Sequence, residues 1–226
     1  VAMRKDKLAS NNIYHIYNRG VEKRIIFKNN QDYSRFIKGL LIFNDTKIVD
    51  DFNNRLRRII NKSHQREEIV DIIAFCLMPN HYHLLLRQRS DNGITEFMRK
   101  LGGGYANYFN LKYERVGALF QGKFKSVLID NDRQLLYIPH YIHLNPLDLT
   151  MPHWREKKSV NKKQAIDFLS NYEWSSYRDY VGEDNFGIVI NKDLLSEYFT
   201  EGEYKKDFNA FINDFDFENI SDLTLE

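Results

Sequence analysis

Apolar and polar residues change their spacing several times along this 226-residue chain, and each change predicts an element. Residues 13–18 alternate and are rich in β-formers, which predicts a strand ended by Asn18-Arg19-Gly20. From 31 to 44 the apolar positions Tyr33, Phe36, Ile37, Leu40, Leu41 and Phe43 recur at helical spacing. Residues 46–68 are polar and basic, and read as a helical excursion or mobile loop, with a solvated face expected ahead of contacts to phosphates. An apolar run at 69–77 then meets Pro79-Asn80, and a second run starts at His81, predicting two strands joined by a tight turn. Residues 91–113 carry the apolar side of a long helix, interrupted by Gly102-Gly103-Gly104. Glycine costs about 1 kcal/mol relative to alanine in a helix, so close packing or a helix break is expected there ahead of phosphate binding. No Gly-Lys-Ser/Thr follows, which excludes a Walker loop. Lys123 and Lys125 flank Phe124 in a basic loop that leads into a strand at 127–129, and the alternation puts both lysines on one face. Asp130-Asn131-Asp132 caps a helix that stops at Asn145-Pro146, with Pro139 expected to kink or split it. Beyond that point aromatic anchors stand among polar stretches, and residues 194–217 suggest one or two further helices. A boundary near 148 separates a domain at 13–147 from a mostly helical, acidic extension at 148–226.

Charge sharpens this division. Residues 1–147 carry 24 Lys+Arg against 14 Asp+Glu, and residues 148–226 carry 9 against 17, so a net +2 conceals a basic body and an acidic tail. A basic body points to a polyanion such as nucleic acid. The acidic residues Asp214, Asp216, Glu218, Asp222 and Glu226 either cover that face or simply keep the tail soluble. The single cysteine, Cys76, sits in an apolar run and reads as a core residue, consistent with a reducing cytoplasm. No apolar run approaches the ~20 residues of a membrane span, and the start of the chain is polar, without a signal-peptide core.

The candidate chemistry begins at His81 and His83. Residues two apart on a strand point to one face, so the two imidazoles project side by side as half of a metal site. The candidates to complete it gather in one helix. Tyr141 and Asn145 are four apart, hence on one helical face, with Tyr137 one turn earlier as a competing phenol. If that face looks at the histidines, Asn145 offers an amide oxygen to the ion and Tyr141 a phenolic oxygen beside it. A phenol of pKa about 10 becomes a nucleophile toward phosphorus beside a metal that polarises a phosphodiester. The resulting phosphotyrosine keeps the bond energy and permits rejoining without ATP. The bland reading is that the histidines are isolated strand residues and the tyrosines fill a core; spacing alone does not bring 81 and 141 together.

Met78-Pro79-Asn80-His81-Tyr82-His83-Leu84-Leu85-Leu86 and Tyr141-Ile142-His143-Leu144-Asn145-Pro146 resemble the two motifs of the IS200-like single-tyrosine transposases. The chain is most similar to the REP-associated tyrosine transposases (RAYTs), members of the HUH endonuclease superfamily. Tyr14-His15-Ile16-Tyr17-Asn18-Arg19-Gly20, residues 117–126 and Trp174-Ser175-Ser176-Tyr177 support the match. The resemblance implies an α+β fold: a ferredoxin-like antiparallel sheet with flanking helices and a C-terminal helical extension. It implies Mg2+ or Mn2+ on His81, His83 and Asn145, the imidazoles favouring Mn2+. With Tyr141 as nucleophile, it implies cleavage and rejoining of hairpin-containing single-stranded DNA through a 5′-phosphotyrosine and a free 3′-OH. Arg19, Lys123 and Lys125 are the expected DNA-binding residues, the expected state a monomer and the expected location a bacterial cytoplasm. Two alternatives stand beside this: a domesticated relative that binds palindromic DNA or RNA without cutting, and an unrelated metal enzyme that activates water.

Overall fold

The computed structural model describes residues 8–47, 51–62, 66–151, 154–156 and 161–214. The acidic positions at 216, 218, 222 and 226 lie outside the described residues. The core is a split βαββαβ arrangement. Strand β1 (Ile13–Arg19) leads to α1 (Asn30–Phe43) and a short α2 (Phe52–Ile60). The hairpin β2 (Val70–Met78) and β3 (His81–Gln88) follows, then α3 (Gly93–Lys112), β4 (Lys125–Ile129) and α4 (Asp132–Leu144). The strands form one antiparallel sheet in the order β2-β3-β1-β4, which is the expected ferredoxin-like α+β topology.

Sheet parity sorts the side chains. Tyr82, on β3, packs its ring 5.0 Å from Phe36 of α1, so the even positions of β3 face α1 and α3. His81 and His83 face the other way, toward α4. Pro139 does not split α4, which runs unbroken from Asp132 to Leu144. Proline removes one backbone donor, and packing on both flanks of α4 holds the helix together regardless. One flank meets the sheet through Tyr141. The other meets α8 (Glu201–Asp214), where His143 Nδ1 lies 2.7 Å from the Tyr204 hydroxyl.

The basic excursion holds a surprise. Arg55 of α2 does not lie on a solvated face; it is buried in an ion pair with Asp45. The segment beyond 148 covers the free edge of β2: Leu77 N donates to Trp174 O (2.9 Å), Ser176 N donates to Phe75 O (3.0 Å), and Cys76 bridges Ser175. An edge so covered is no template for another chain. Three short helices, α5 (Lys162–Asn171), α6 (Tyr177–Tyr180) and α7 (Asp193–Ser196), precede α8. Among the described residues no helix is long and apolar enough to cross a membrane.

The entry to α3 is a tight backbone approach near the sheet. A Cβ at Gly93 would stand 2.5 Å from the Ile69 carbonyl oxygen, a backbone atom that a rotamer change cannot move aside. Gly93→Ala is therefore expected to destabilise the protein by roughly 1–3 kcal/mol. The urea midpoint should fall with an unchanged slope; an unchanged midpoint contradicts the close approach.

Candidate active site

The pairing of β1 with β3 builds the site floor. Tyr17 lies opposite His83 and Arg19 opposite His81, so His15, Tyr17, Arg19, His81 and His83 share one face of the sheet. Helix α4 covers that face with Tyr141, whose ring stands edge-on to His83 at 5.8 Å and to His15 at 6.2 Å. The two histidine rings of β3 are 5.1 Å apart and nearly perpendicular. Tyr141 is fully buried, and so are His15, His83 and Asn145; His81 is the most open of the group at 8%.

Each histidine of the pair is oriented by a neighbour. His81 Nδ1 is 2.6 Å from the Asn80 side-chain oxygen. An amide oxygen only accepts, so His81 Nδ1 carries the proton and Nε2 keeps its lone pair. His83 Nδ1 is 2.8 Å from His15 Nε2, and these two rings stack with centroids 5.0 Å apart. With both Nδ1 atoms engaged, Nε2 is the nitrogen each ring offers to a metal, the arrangement by which outer groups set the tautomer of ligating histidines. Among the described residues no group of three or more His, Cys, Asp or Glu side chains stands in metal-holding geometry. A third protein ligand therefore has to be of another kind, and the amide of Asn145 is one.

Asn145 follows α4 at its C-terminus. Its Nδ2 donates to the Tyr141 carbonyl at 2.8 Å, and its Oδ1 accepts from Arg155 Nη2 at 3.4 Å. Arg155 donates also to Asp148 at 2.7 Å, and its guanidinium lies 6.0 Å from the centre of the Tyr141 ring. The electrostatics follow. Burial, then Arg19 and Arg155, push the His81 imidazole down to about 3. His83 falls well below the ordinary histidine range, through burial first and then the neighbouring His15, His81 and the two arginines. The histidines are thus neutral, the state in which an imidazole can act as a ligand, in a site whose nearby fixed charges are Arg19 and the Arg155–Asp148 ion pair.

The structure thus brings His81, His83, Tyr141, Asn145 and Arg19 into one region. Tyr137 is elsewhere: its ring packs 4.4 Å from Phe211 of α8. The lysines separate. Lys125 opens β4 opposite Tyr17, with Nζ 5.9 Å from that ring, whereas Lys123 precedes the strand and lines a cavity with Tyr82 on the other face. The expected shared face fails because β4 begins at Lys125, so strand alternation does not reach 123. Sequence reasoning missed His15 and Arg155 as members of the site. His15 alternates with Tyr17 in a legible strand, but nothing local says which face that strand turns to His83. Arg155 carries no periodic signal at all.

The family model described as "Transposase IS200 like" matches residues 42–145, the span from the end of α1 through Asn145. The chain is similar to the IS200-like transposases, as its two motifs suggested. A solved structure of a REP-associated tyrosine transposase bound to a REP hairpin superposes with a TM-score of 0.51 at 13% identity, over 84% of this chain and 91% of that one. At that identity the likeness is one of fold. No curated protein matches the chain.

The buried neutral histidines make stability depend on pH. Unfolded histidines take up protons near pH 6.5, whereas His81 stays neutral down to about 3 and His83 and His143 are also held well below the ordinary range. Below about pH 6.5 the unfolded chain binds more protons, so this stability is fully present above that pH and is lost as pH falls. The unfolding free energy from urea titration should drop between pH 7.5 and 5, with a slope approaching ~1.4 kcal/mol per pH unit for each such histidine. A flat profile would contradict burial in the neutral form.

Proposed function

We propose that this protein cleaves and rejoins hairpin-containing single-stranded DNA, with Tyr141 as nucleophile and one divalent ion, Mg2+ or Mn2+, on His81, His83 and Asn145. The observation that carries this reading is the Tyr141 ring against His83, with the charges of Arg19 and Arg155 felt at His83 and Arg155 close to the Tyr141 ring as well. The residues fit the ion: two imidazoles with Nδ1 already engaged, and one amide oxygen. When bound, the ion supplies Lewis acidity toward the phosphodiester and favours ionisation of a nearby phenol.

The protein's own residues do the rest. Asn80 and His15 hold the two imidazoles in orientation. Arg19 and Arg155 bind the scissile phosphate and neutralise the charge that grows on it in the transition state. The Tyr141 oxygen forms a bond to phosphorus as the bond to the 3′-oxygen breaks, and the phenolic proton ends on that leaving oxygen. The products are a 5′-phosphotyrosine and a free 3′-OH, which can attack in reverse. Because Tyr141 is fully buried and Asn145 Oδ1 is engaged by Arg155, the turn that carries Arg155 has to shift before DNA and metal meet the tyrosine. Lys125 follows the backbone beside Tyr17. Hairpin DNA is the proposed substrate because the structural neighbour is bound to a hairpin. We assign the reaction to a monomer in the bacterial cytoplasm, with the unit at 13–147 holding the nucleophile and the metal ligands, and the described residues of the extension from 148 supplying Arg155 and covering the sheet edge and α4.

A denaturing gel of protein, labelled hairpin DNA and Mn2+ tests the assignment. Wild type and Tyr137→Phe should give a slow covalent adduct and Tyr141→Phe none. An adduct that survives Tyr141→Phe overturns the choice of nucleophile, and hairpin binding with no adduct under any metal leaves a DNA-binding protein.

His15 yields a separate expectation. Loss of an outer partner of a ligating histidine costs about 10–100-fold in metal affinity. Mn2+ titration by calorimetry should show that loss for His15→Ala, with partial recovery in His15→Gln, which restores an acceptor. Equal affinity in all three proteins would remove His15 from the site.

A further inference from the structure

Packing explains one of the three glycines of α3. A Cβ on Gly104 would lie 2.7 Å from Phe43 Cζ, so that position answers to the contact between α3 and α1. Gly102 and Gly103 have no such neighbour, since a Cβ on either would meet nothing within 4 Å. Helical glycine is costlier than alanine, and no contact repays that cost here. What the two bare positions leave open is one wall of a cavity of about 660 Å³. That is within the range of small-ligand sites.

The other walls have a definite chemistry. Phe120 and Phe124 supply rings, Tyr82 and Asn18 line the cavity from the sheet, and Arg99 and Lys123 bring two cations. Strand parity puts Asn18 and Tyr82 on the face opposite Arg19 and His83. The cavity nevertheless lies at the same end of the sheet as the catalytic face, because Tyr82 sits between the two histidines and Asn18 precedes Arg19. Rings for stacking, cations for a phosphate and a bare stretch of helix form a slot for a nucleotide, with the Asn18 amide held in its wall by Gly122 O and Arg19 N.

We infer that this cavity takes one unpaired nucleotide of the DNA strand, its base on the phenylalanine rings and its phosphate toward Lys123 and Arg99, and that Gly102 and Gly103 keep the slot open. The inference rests on single-stranded DNA as the substrate. It gives the glycines a role with an unusual signature. A side chain at 103 should favour the helix and the fold while closing the slot, whereas a purely structural glycine would show no functional loss on replacement.

The test uses fluorescence anisotropy with the full chain and a labelled hairpin bearing single-stranded arms, in which an abasic residue is walked along the arms. In wild type, removing the base at one arm position should weaken binding about tenfold. In Gly103→Leu the intact probe should bind about tenfold weaker, that position should lose its sensitivity, and the melting temperature should be unchanged or higher. Lys123→Ala, at an exposed position, should lower the salt slope of binding by about one and serves if Gly103→Leu folds poorly. The inference is overturned if no arm position responds to base removal in wild type, if the response persists in Gly103→Leu, or if Lys123→Ala leaves the salt slope unaltered. Failure of wild type to bind any hairpin sinks the DNA reading as a whole, whereas normal binding indifferent to the slot sinks this inference alone.

Discussion

The antiparallel register between β1 and β3 is the constraint on which the site depends. Placing Tyr17 opposite His83 and Arg19 opposite His81 puts an imidazole behind His83, a guanidinium beside His81, and the core aromatic Tyr82 on the far side. A slip of one residue would exchange the two faces, moving the histidines into the hydrophobic layer under α1 and Tyr82 into the site. The register is held because both faces are occupied. Tyr82 and Leu84 are buried in the core, and Tyr141 of α4 closes the other side. Fold stability and the geometry of the candidate site therefore rest on the same backbone pairing.

The electrostatics of the site bear on the proposed chemistry. Burial and two arginines keep the imidazoles neutral, the state a metal ligand requires. Under the proposed reaction a phosphodiester would bring negative charge to both the metal and the guanidiniums, and metal binding and DNA binding would then be coupled, each favouring the other by the same factor. The hydrogen bond from Arg155 to Asn145 fits a resting state in which the arginine occupies the amide oxygen until a phosphate draws it away.

Much of this was legible along the chain, for reasons that are local. The parity of His81 and His83 and the one-turn spacing of Tyr141 and Asn145 need no tertiary information, and the family resemblance supplied the step that joins them. Features governed by packing were not legible. Pro139 looked like a break in α4 and is carried through by contacts on both flanks. The glycine run in α3 left close packing and a helix break both open; the helix passes through it, and the close packing is found at Gly104, where α1 approaches. Arg55 looked solvated, and its partner Asp45 lies ten residues earlier, in the turn after α1. His15 and Arg155 enter the site from a strand whose facing was undetermined and from a segment beyond the expected boundary.

The most direct measurement is pulsed EPR of Mn2+ bound to the protein with hairpin DNA, using 15N-labelled histidine and single His81→Ala and His83→Ala variants. Two histidine nitrogens coupled to the ion in wild type, and one in each variant, is the result expected if His81 and His83 hold the metal beside Tyr141. Mn2+ that couples to no histidine nitrogen, or whose coupling survives both substitutions, would contradict the metal-assisted tyrosine site.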